Sequence, residues 1–120
     1  MGSLLAGRRV LLVEDEMLVL MIMEDMLADL GCQSVSAAAT VAQALALVET
    51  NTFDVAMLDI NLHGARSYPV ADALAARGVP FAFATGYVGH TLDGYSERPM
   101  LRKPFQFEEL VETLTSLLPR

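Results

Sequence analysis

The chain has 120 residues, of which 53% are hydrophobic and 19% charged, and its eight basic and fifteen acidic side chains give a formal net charge of −7. This composition is typical of one globular domain and disfavours a nucleic-acid partner, because the acidic surface would repel phosphates. The single cysteine, Cys32, excludes an internal disulfide, and the longest apolar run, residues 17–23, covers about a third of a membrane-spanning helix. We therefore expect a cytoplasmic protein with no membrane segment.

Strand and helix patterns alternate from the N-terminus onward. Residues 9–13 form a short apolar run, typical of a strand buried on both faces of a parallel sheet. A helix is predicted over residues 15–30, and Gly31 is placed to end it. The i, i+3, i+4 spacing predicts a core-facing stripe of Val19, Ile22, Met23, Met26, Leu27 and Leu30.

The same alternation continues through the middle of the chain. Residues 33–37 are predicted as the second strand, and Thr40 with Gln43 forms a capping-box pattern that opens a second helix. Residues 53–58 are predicted as the third strand, which ends on Asp59, and residues 69–77 as a short third helix. The second helix is expected to turn Val41, Ala44, Leu45 and Val48 inward.

The last third of the chain supplies two more strands and a helix. Residues 81–84 are predicted as the fourth strand and residues 100–102 as a small fifth strand, which a Lys-Pro pair stops. Between them, residues 86–99 contain three glycines and few periodic apolar positions, so a helix there would be short and marginal. The final helix is predicted over residues 106–118, with an apolar face of Phe107, Leu110, Val111, Leu114 and Leu118.

Five strand–helix units predict a parallel sheet with right-handed crossovers and helices on both faces, a three-layer α/β/α fold. In such sheets the reactive groups gather at the carboxyl ends of the strands. The polar residues at these predicted ends are Glu14, Asp15, Asp59, Thr85 and Lys103.

These residue types match the chemistry of phosphoryl transfer. Three converging carboxylates repel one another unless they share a cation, and Mg²⁺ prefers carboxylate and carbonyl oxygens with waters. An ammonium and a hydroxyl complement a transferring phosphoryl group, and a carboxylate can itself accept that group as an aspartyl phosphate. Each residue alone is more often a solvated turn, a loop cap or a strand stop, but the ordered set at strand ends favours a phosphoryl-transfer site.

Four segments, VLLVEDE, DVAMLDINLHG, FAFATGY and LRKPF, resemble the signature segments of the response-regulator receiver domain of two-component signalling. The resemblance extends over about residues 8–118 and implies a flavodoxin-like (βα)5 fold with sheet order 2-1-3-4-5. It implies a phosphoacceptor switch that assists its own phosphorylation and dephosphorylation, and not an enzyme in the usual sense. Because the chain ends after its last predicted helix, we expect a single receiver domain over residues 1–120 with no output domain.

The resemblance assigns roles to the residues that match the family's motifs. Asp59 is implied to be the residue that a partner histidine kinase phosphorylates. Asp15 and Asp59 are implied to bind Mg²⁺ together with the backbone carbonyl of Asn61, while Glu14 would act mostly through a water. The phosphorylated chain would then act on a downstream protein or pass the phosphoryl group on in a relay.

Further implied roles concern the phosphoryl group and the kinase. Thr85 and Lys103 are implied to bind the phosphoryl oxygens, and the bond between Lys103 and Pro104 resembles one that is cis in the family. The FATGY motif further resembles a sub-group of stand-alone receivers, called FATGUY, that is associated with HWE-type or related histidine kinases.

The chain departs from most receivers at three places. A Leu-His pair replaces the usual Met-Pro, so His63 could approach the phosphoryl site, although an exposed loop histidine is the more common outcome. Met100 replaces the aromatic residue three positions before the lysine, so the usual rotation of that ring cannot be coupled to Thr85. The weak segment 86–99 leads to the hypothesis that phosphorylation orders it through Thr85, with Tyr87 either shielding the phosphate from water or packing over the loop.

Four apolar residues of the first predicted helix, Met17, Leu18, Leu20 and Met21, lie largely off its expected core stripe. They are predicted to form either a partly buried rim or an apolar docking patch for the kinase's histidine helix.

Two other functions are weighed against the receiver. A haloacid-dehalogenase-type phosphatase also forms an aspartyl phosphate beside Mg²⁺, but it needs a second aspartate where this chain has Asn61. A degenerate interaction module would be favoured if the acidic pair, Asp59 or Lys103 were missing, and none of them is.

Overall fold

A computed structural model of the chain describes residues 5–62, 64–85, 100–103 and 105–118. These ranges contain the five predicted strands and four of the predicted helices, together with two short strands that the sequence did not predict. The strands are β1 (Arg9–Val13), β2 (Ser34–Ala38), β3 (Val55–Asp59), β4 (Asn61–Leu62), β5 (Ala65–Arg66), β6 (Phe81–Thr85) and β7 (Met100–Arg102). The helices are α1 (Met17–Asp29), α2 (Val41–Thr50), α3 (Tyr68–Ala76) and α4 (Phe107–Leu117).

Five of the strands form one parallel sheet in the order β2-β1-β3-β6-β7. Counted among themselves in chain order, these strands have the order 2-1-3-4-5, so the predicted doubly wound topology is confirmed. The remaining two strands, β4 and β5, pair antiparallel as a small hairpin outside the main sheet. The sequence did not predict this hairpin, in which Gly64 precedes β5 with a φ of 85° that favours glycine.

The core lies on both faces of the sheet, because alternate side chains of each strand point to opposite faces. On one face Leu11, Leu58 and Phe83 pack with buried residues of α2 and α3. On the other face Leu12 and Met57 pack with buried residues of α1 and α4. This arrangement confirms the predicted three layers.

The first helix corrects two predictions. It begins at Met17 and not at residue 15, because Glu16 is extended (φ −93°, ψ 112°) and its N–H donates to Oε1 of Glu14 at 3.1 Å. Ile22, predicted to face the core, is 51% exposed, whereas Leu20 is 9% exposed and packs in the core. Because every residue from 17 to 23 is apolar, the sequence admits more than one stripe; the buried one is Leu20, Met23, Leu27 and Leu30.

Other boundaries differ by a few residues. β2 is displaced by one residue toward the C-terminus, and β3 begins at Val55, although the preceding Phe53 is buried. The cap of α2 is confirmed in part: Oγ1 of Thr40 accepts from the N–H of Gln43 at 3.1 Å, but the Gln43 side chain accepts from Ala39. Within the described ranges no helix combines the length and apolarity needed to cross a membrane.

Candidate functional site

The site forms where neighbouring parallel strands end at the same edge of the sheet. β1 and β3 pair through Val13 and Leu58, and the next residues along the two strands are Glu14 and Asp59. The N–H of Glu14 donates to the carbonyl of Ala38 at 2.9 Å, which holds the end of β1 against β2. Strand pairing therefore brings two carboxylates that are distant in sequence to adjacent positions.

Lys103 reaches this pair from the edge strand. It follows β7, which pairs with β6, and β6 lies beside β3. Its Nζ donates to Oε2 of Glu14 at 2.6 Å and to Oδ2 of Asp59 at 3.1 Å. The exposed fractions of the three side chains are 13% for Lys103, 2% for Glu14 and 9% for Asp59, so both ion pairs are largely shielded from water.

Asp15 completes a cluster of three carboxylates. One carboxylate oxygen from each of Glu14, Asp15 and Asp59 lies within 4.8 Å of the others. Hard oxygen donors at this spacing suit a divalent cation such as Mg²⁺, which also retains waters. The predicted acidic site thus exists as a geometric cluster.

Burial and neighbouring charges shift the pKa values of Glu14 and Lys103 within the cluster. Burial, reinforced by the negative charge of Asp59, raises the pKa of Glu14 from 4.5 to about 7, although the hydrogen bond from Lys103 acts in the opposite direction. Burial would lower the pKa of Lys103, but its hydrogen bond to Glu14 and the charges of both carboxylates outweigh burial and raise that pKa. The Lys103 ammonium therefore remains charged, while the Glu14 carboxyl is partly protonated near pH 7.

For two other predicted site residues the structure gives the main-chain position in a strand, and others lie outside the described ranges. Asn61 is in β4 opposite Arg66, two residues after Asp59, and Thr85 ends β6 opposite Arg102. Predictions for His63, Tyr87, Pro104 and residues 86–99 fall outside the described residues.

The apolar residues of α1 divide into two groups. Met17, Leu18 and Met21 are exposed by 68%, 73% and 53%, and Ile22 extends the same surface. Leu20 is buried in the core, so the prediction that it belongs to a docking patch is wrong. On β7, Met100 is 39% exposed.

Two features near the site were missed by sequence reasoning. The first is the direct contact between Lys103 and Glu14, which the family resemblance did not imply. The second is Ser67, which is fully buried at the start of α3. No sequence signal marks Ser67, because serines at helix starts are usually exposed caps.

Comparison with known proteins agrees with the fold. The response regulator receiver domain family matches residues 10–115, so the chain belongs to this family. No curated protein sequence matches the chain.

Solved structures give more specific similarities. SdrG from Sphingomonas melonis Fr1, known from a solution structure, is 45% identical in sequence to this chain. The match has a TM-score of 0.82 and covers 96% of this chain and 98% of SdrG. The receiver domain of PhyR from Erythrobacter litoralis is 31% identical, with a TM-score of 0.82 over 93% of this chain and 90% of that domain. The receiver domain of the sensor histidine kinase PA1611 from Pseudomonas aeruginosa PAO1 is 28% identical, with a TM-score of 0.75 over 93% and 98% of the two chains. That last structure has a magnesium ion in its active-site cleft.

Proposed function

We propose that this chain is a single-domain response regulator whose Asp59 accepts a phosphoryl group from the histidine of a kinase. The observation that carries the proposal is the position of Lys103, whose ammonium contacts Asp59 and Glu14 within a cluster of three carboxylates. A solvated turn or a strand stop does not require a largely shielded ammonium in contact with carboxylates at the ends of two other strands. The phosphorylated chain then acts on a downstream protein or passes the phosphoryl group to a relay partner.

The transfer forms one bond and breaks another. A carboxylate oxygen of Asp59 bonds to phosphorus, the bond from phosphorus to the kinase's imidazole nitrogen breaks, and the electron pair returns to that nitrogen. Lys103 supplies positive charge to the transferring oxygens from its place 3.1 Å from Oδ2 of Asp59. Glu14 orients the ammonium through a second hydrogen bond. Thr85, at the end of β6, is assigned to bind a phosphoryl oxygen.

Mg²⁺ is the cation that the donor set fits. We assign Glu14, Asp15, Asp59 and the main-chain carbonyl of Asn61 to its coordination, with Glu14 acting through a water. Hard oxygens within 4.8 Å of one another and a Glu14 pKa of about 7 both indicate negative charge that a cation would compensate. When bound, the ion supplies charge stabilisation to the phosphoryl oxygens.

The kinase is assigned to the exposed apolar surface of α1, formed by Met17, Leu18, Met21 and Ile22. The helix begins two residues after Asp15, so this surface adjoins the acidic cluster. Exposed methionine and leucine side chains suit contact with an amphipathic helix, such as one that carries a phosphohistidine. The similarity to SdrG and PhyR supports the FATGUY sub-group and, with it, a kinase of the HWE type or a related type.

Phosphorylation by acetyl phosphate and Mg²⁺, followed by intact mass spectrometry, tests the proposal. One phosphoryl group should be added to the parent protein and none to Asp59→Asn. Asp54→Asn is the matched control and should still be phosphorylated. Asp54 directly precedes the first residue of β3, at the end away from Asp59, and its Oδ2 accepts from the N–H of Arg9 at 2.7 Å. Sustained hydrolysis of an organic phosphate would instead indicate a phosphatase, and no adduct would indicate a degenerate interaction module.

A further inference from the structure

The hydroxyl of Ser67 is buried without a hydrogen bond. The residue is 0% exposed, and its Oγ has no partner among the described residues. Most buried side-chain polar atoms in folded proteins have a partner, and an unsatisfied one carries a penalty that alanine at the same position would avoid. A serine here therefore destabilises the described state.

Helix capping does not explain this serine. A capping serine accepts from an N–H of the first helical turn with its side chain, as Thr40 does for Gln43 at the start of α2. Ser67 has φ −84° and ψ 8°, and its side chain makes no such bond. Its main-chain carbonyl accepts instead, from the N–H groups of Val70 and Ala71 at 2.9 and 3.1 Å.

Ser67 lies where the loop after the phosphoacceptor closes. Its N–H donates at 2.9 Å to the carbonyl of Ile60, the residue that follows Asp59. The hairpin of β4 and β5 lies between them in the chain, and the side chains of Ile60 and Leu62 are buried in the core. A change in the main chain just after Asp59 is therefore transmitted directly to Ser67.

We propose that Ser67 is a positioning residue for the phosphoacceptor loop, whose hydroxyl donates to a main-chain carbonyl of residues 60–62 or 64–66 only when the site holds Mg²⁺ and a phosphoryl group. The inference rests on the proposed function, in which the cation attracts Asp59 and the carbonyl of Asn61 and so shifts this loop. The loaded state gains a hydrogen bond that the unloaded state lacks, and a differential contact of this kind shifts a two-state equilibrium toward the loaded conformation.

The test is Ser67→Ala, studied by thermal unfolding in EDTA and by titration with beryllofluoride, a phosphoryl mimic, in excess Mg²⁺. Without ligand, Ser67→Ala should unfold about 4 °C or more above the parent protein, because the unsatisfied hydroxyl is removed. Its apparent affinity for beryllofluoride should nevertheless be about fivefold to tenfold weaker, the effect of one hydrogen bond. A purely structural role would not change these two quantities in opposite directions.

Three further variants control the experiment. Thr40→Ala, which loses a satisfied cap on α2, should lower the unfolding temperature and leave beryllofluoride affinity unchanged. Ser36→Ala, on β2, should leave that affinity unchanged as well. Ser67→Cys keeps a weak donor of similar size, so its affinity should lie between those of the parent and Ser67→Ala; it also serves if the alanine variant does not fold.

Each outcome supports or overturns the inference. Equal beryllofluoride affinity for Ser67→Ala and the parent would mean that the hydroxyl has no role in the loaded state. Lower stability of Ser67→Ala in EDTA would mean that the hydroxyl already has a partner there. If the parent protein itself fails to bind beryllofluoride with Mg²⁺, the proposed function fails, and this inference fails with it.

Discussion

Glu14 should make the metal-free protein less stable as the pH rises, and Glu14→Gln should remove much of that dependence. Glu14 is 2% exposed, and burial together with the charge of Asp59 raises its pKa from 4.5 to about 7 despite the ion pair with Lys103. The glutamine variant removes the charge and retains an oxygen that can accept from the N–H of Glu16.

The sign follows from proton linkage. Between pH values of about 4.5 and 7 the folded protein holds a proton on Glu14 that the unfolded chain has released, so the free energy of unfolding falls as the pH rises through this window. Once Glu14 is fully ionised, its pKa shift lowers the free energy of unfolding by about 3 kcal/mol relative to the protonated state. Between about pH 5.5 and about pH 8.5, this shift alone lowers the free energy of unfolding by about 2 kcal/mol. Lys103 acts in the same direction only at more alkaline pH, because its raised pKa lies above this range.

Urea denaturation in EDTA at several pH values measures the effect. The free energy of unfolding of Glu14→Gln should fall by about 2 kcal/mol less than that of the parent over this range. Glu112→Gln, which changes the same charge at an exposed position of α4, should follow the parent. Added Mg²⁺ should stabilise the parent more at the alkaline end, where Glu14 is ionised. Parallel pH profiles for the parent and Glu14→Gln would refute the reasoning.

Three further predictions concern the Lys103 ammonium, the proposed docking surface on α1 and the core. Lys103→Met should slow phosphorylation by acetyl phosphate about a hundredfold or more, because the ammonium beside the acceptor is lost; a parental rate in the mass assay would contradict this role. The double variant Leu18→Glu and Met21→Glu should slow transfer from the kinase but not from acetyl phosphate, and equal loss in both assays would argue against docking on α1. Phe83→Ala should lower the free energy of unfolding by about 3–5 kcal/mol, because this buried ring packs edge to face with two other aromatic rings. Phe107→Ala, at 36% exposure, is the control and should cost clearly less in the same denaturation experiment.

The order of the elements could be predicted because each strand is a short apolar run bounded by polar or turn residues. The phase of α1 could not, since seven consecutive apolar residues fit several helical stripes and only packing against the sheet selects Leu20 over Ile22. Its first residue also depends on a local contact, the hydrogen bond between Glu14 and Glu16, which composition does not reveal.

The convergence of the site could be predicted for a similar reason. Parallel strands end at a common edge, so residues that follow β1, β3 and β7 must meet there. The partners within the site could not be assigned, because Lys103 follows β7 and Glu14 follows β1, and their contact depends on how the lysine side chain crosses the ends of β6 and β3. The burial of Ser67 was equally hidden, since no apolar periodicity marks a polar residue at the start of α3 as buried.

The charges of the cluster imply an order of events at the proposed site. Among the described side chains, three carboxylates lie close together, and the Lys103 ammonium contacts two of them. Phosphorylation replaces the single charge of Asp59 with up to two, which adds negative charge in a largely buried place. Protonation of Glu14 can offset only one charge, whereas a divalent cation offsets two and leaves Glu14 ionised to hold Lys103 in place. We therefore expect the cation to bind first and the phosphoryl group second, since the reverse order would place the phosphoryl oxygens against carboxylates whose charge no divalent cation yet offsets.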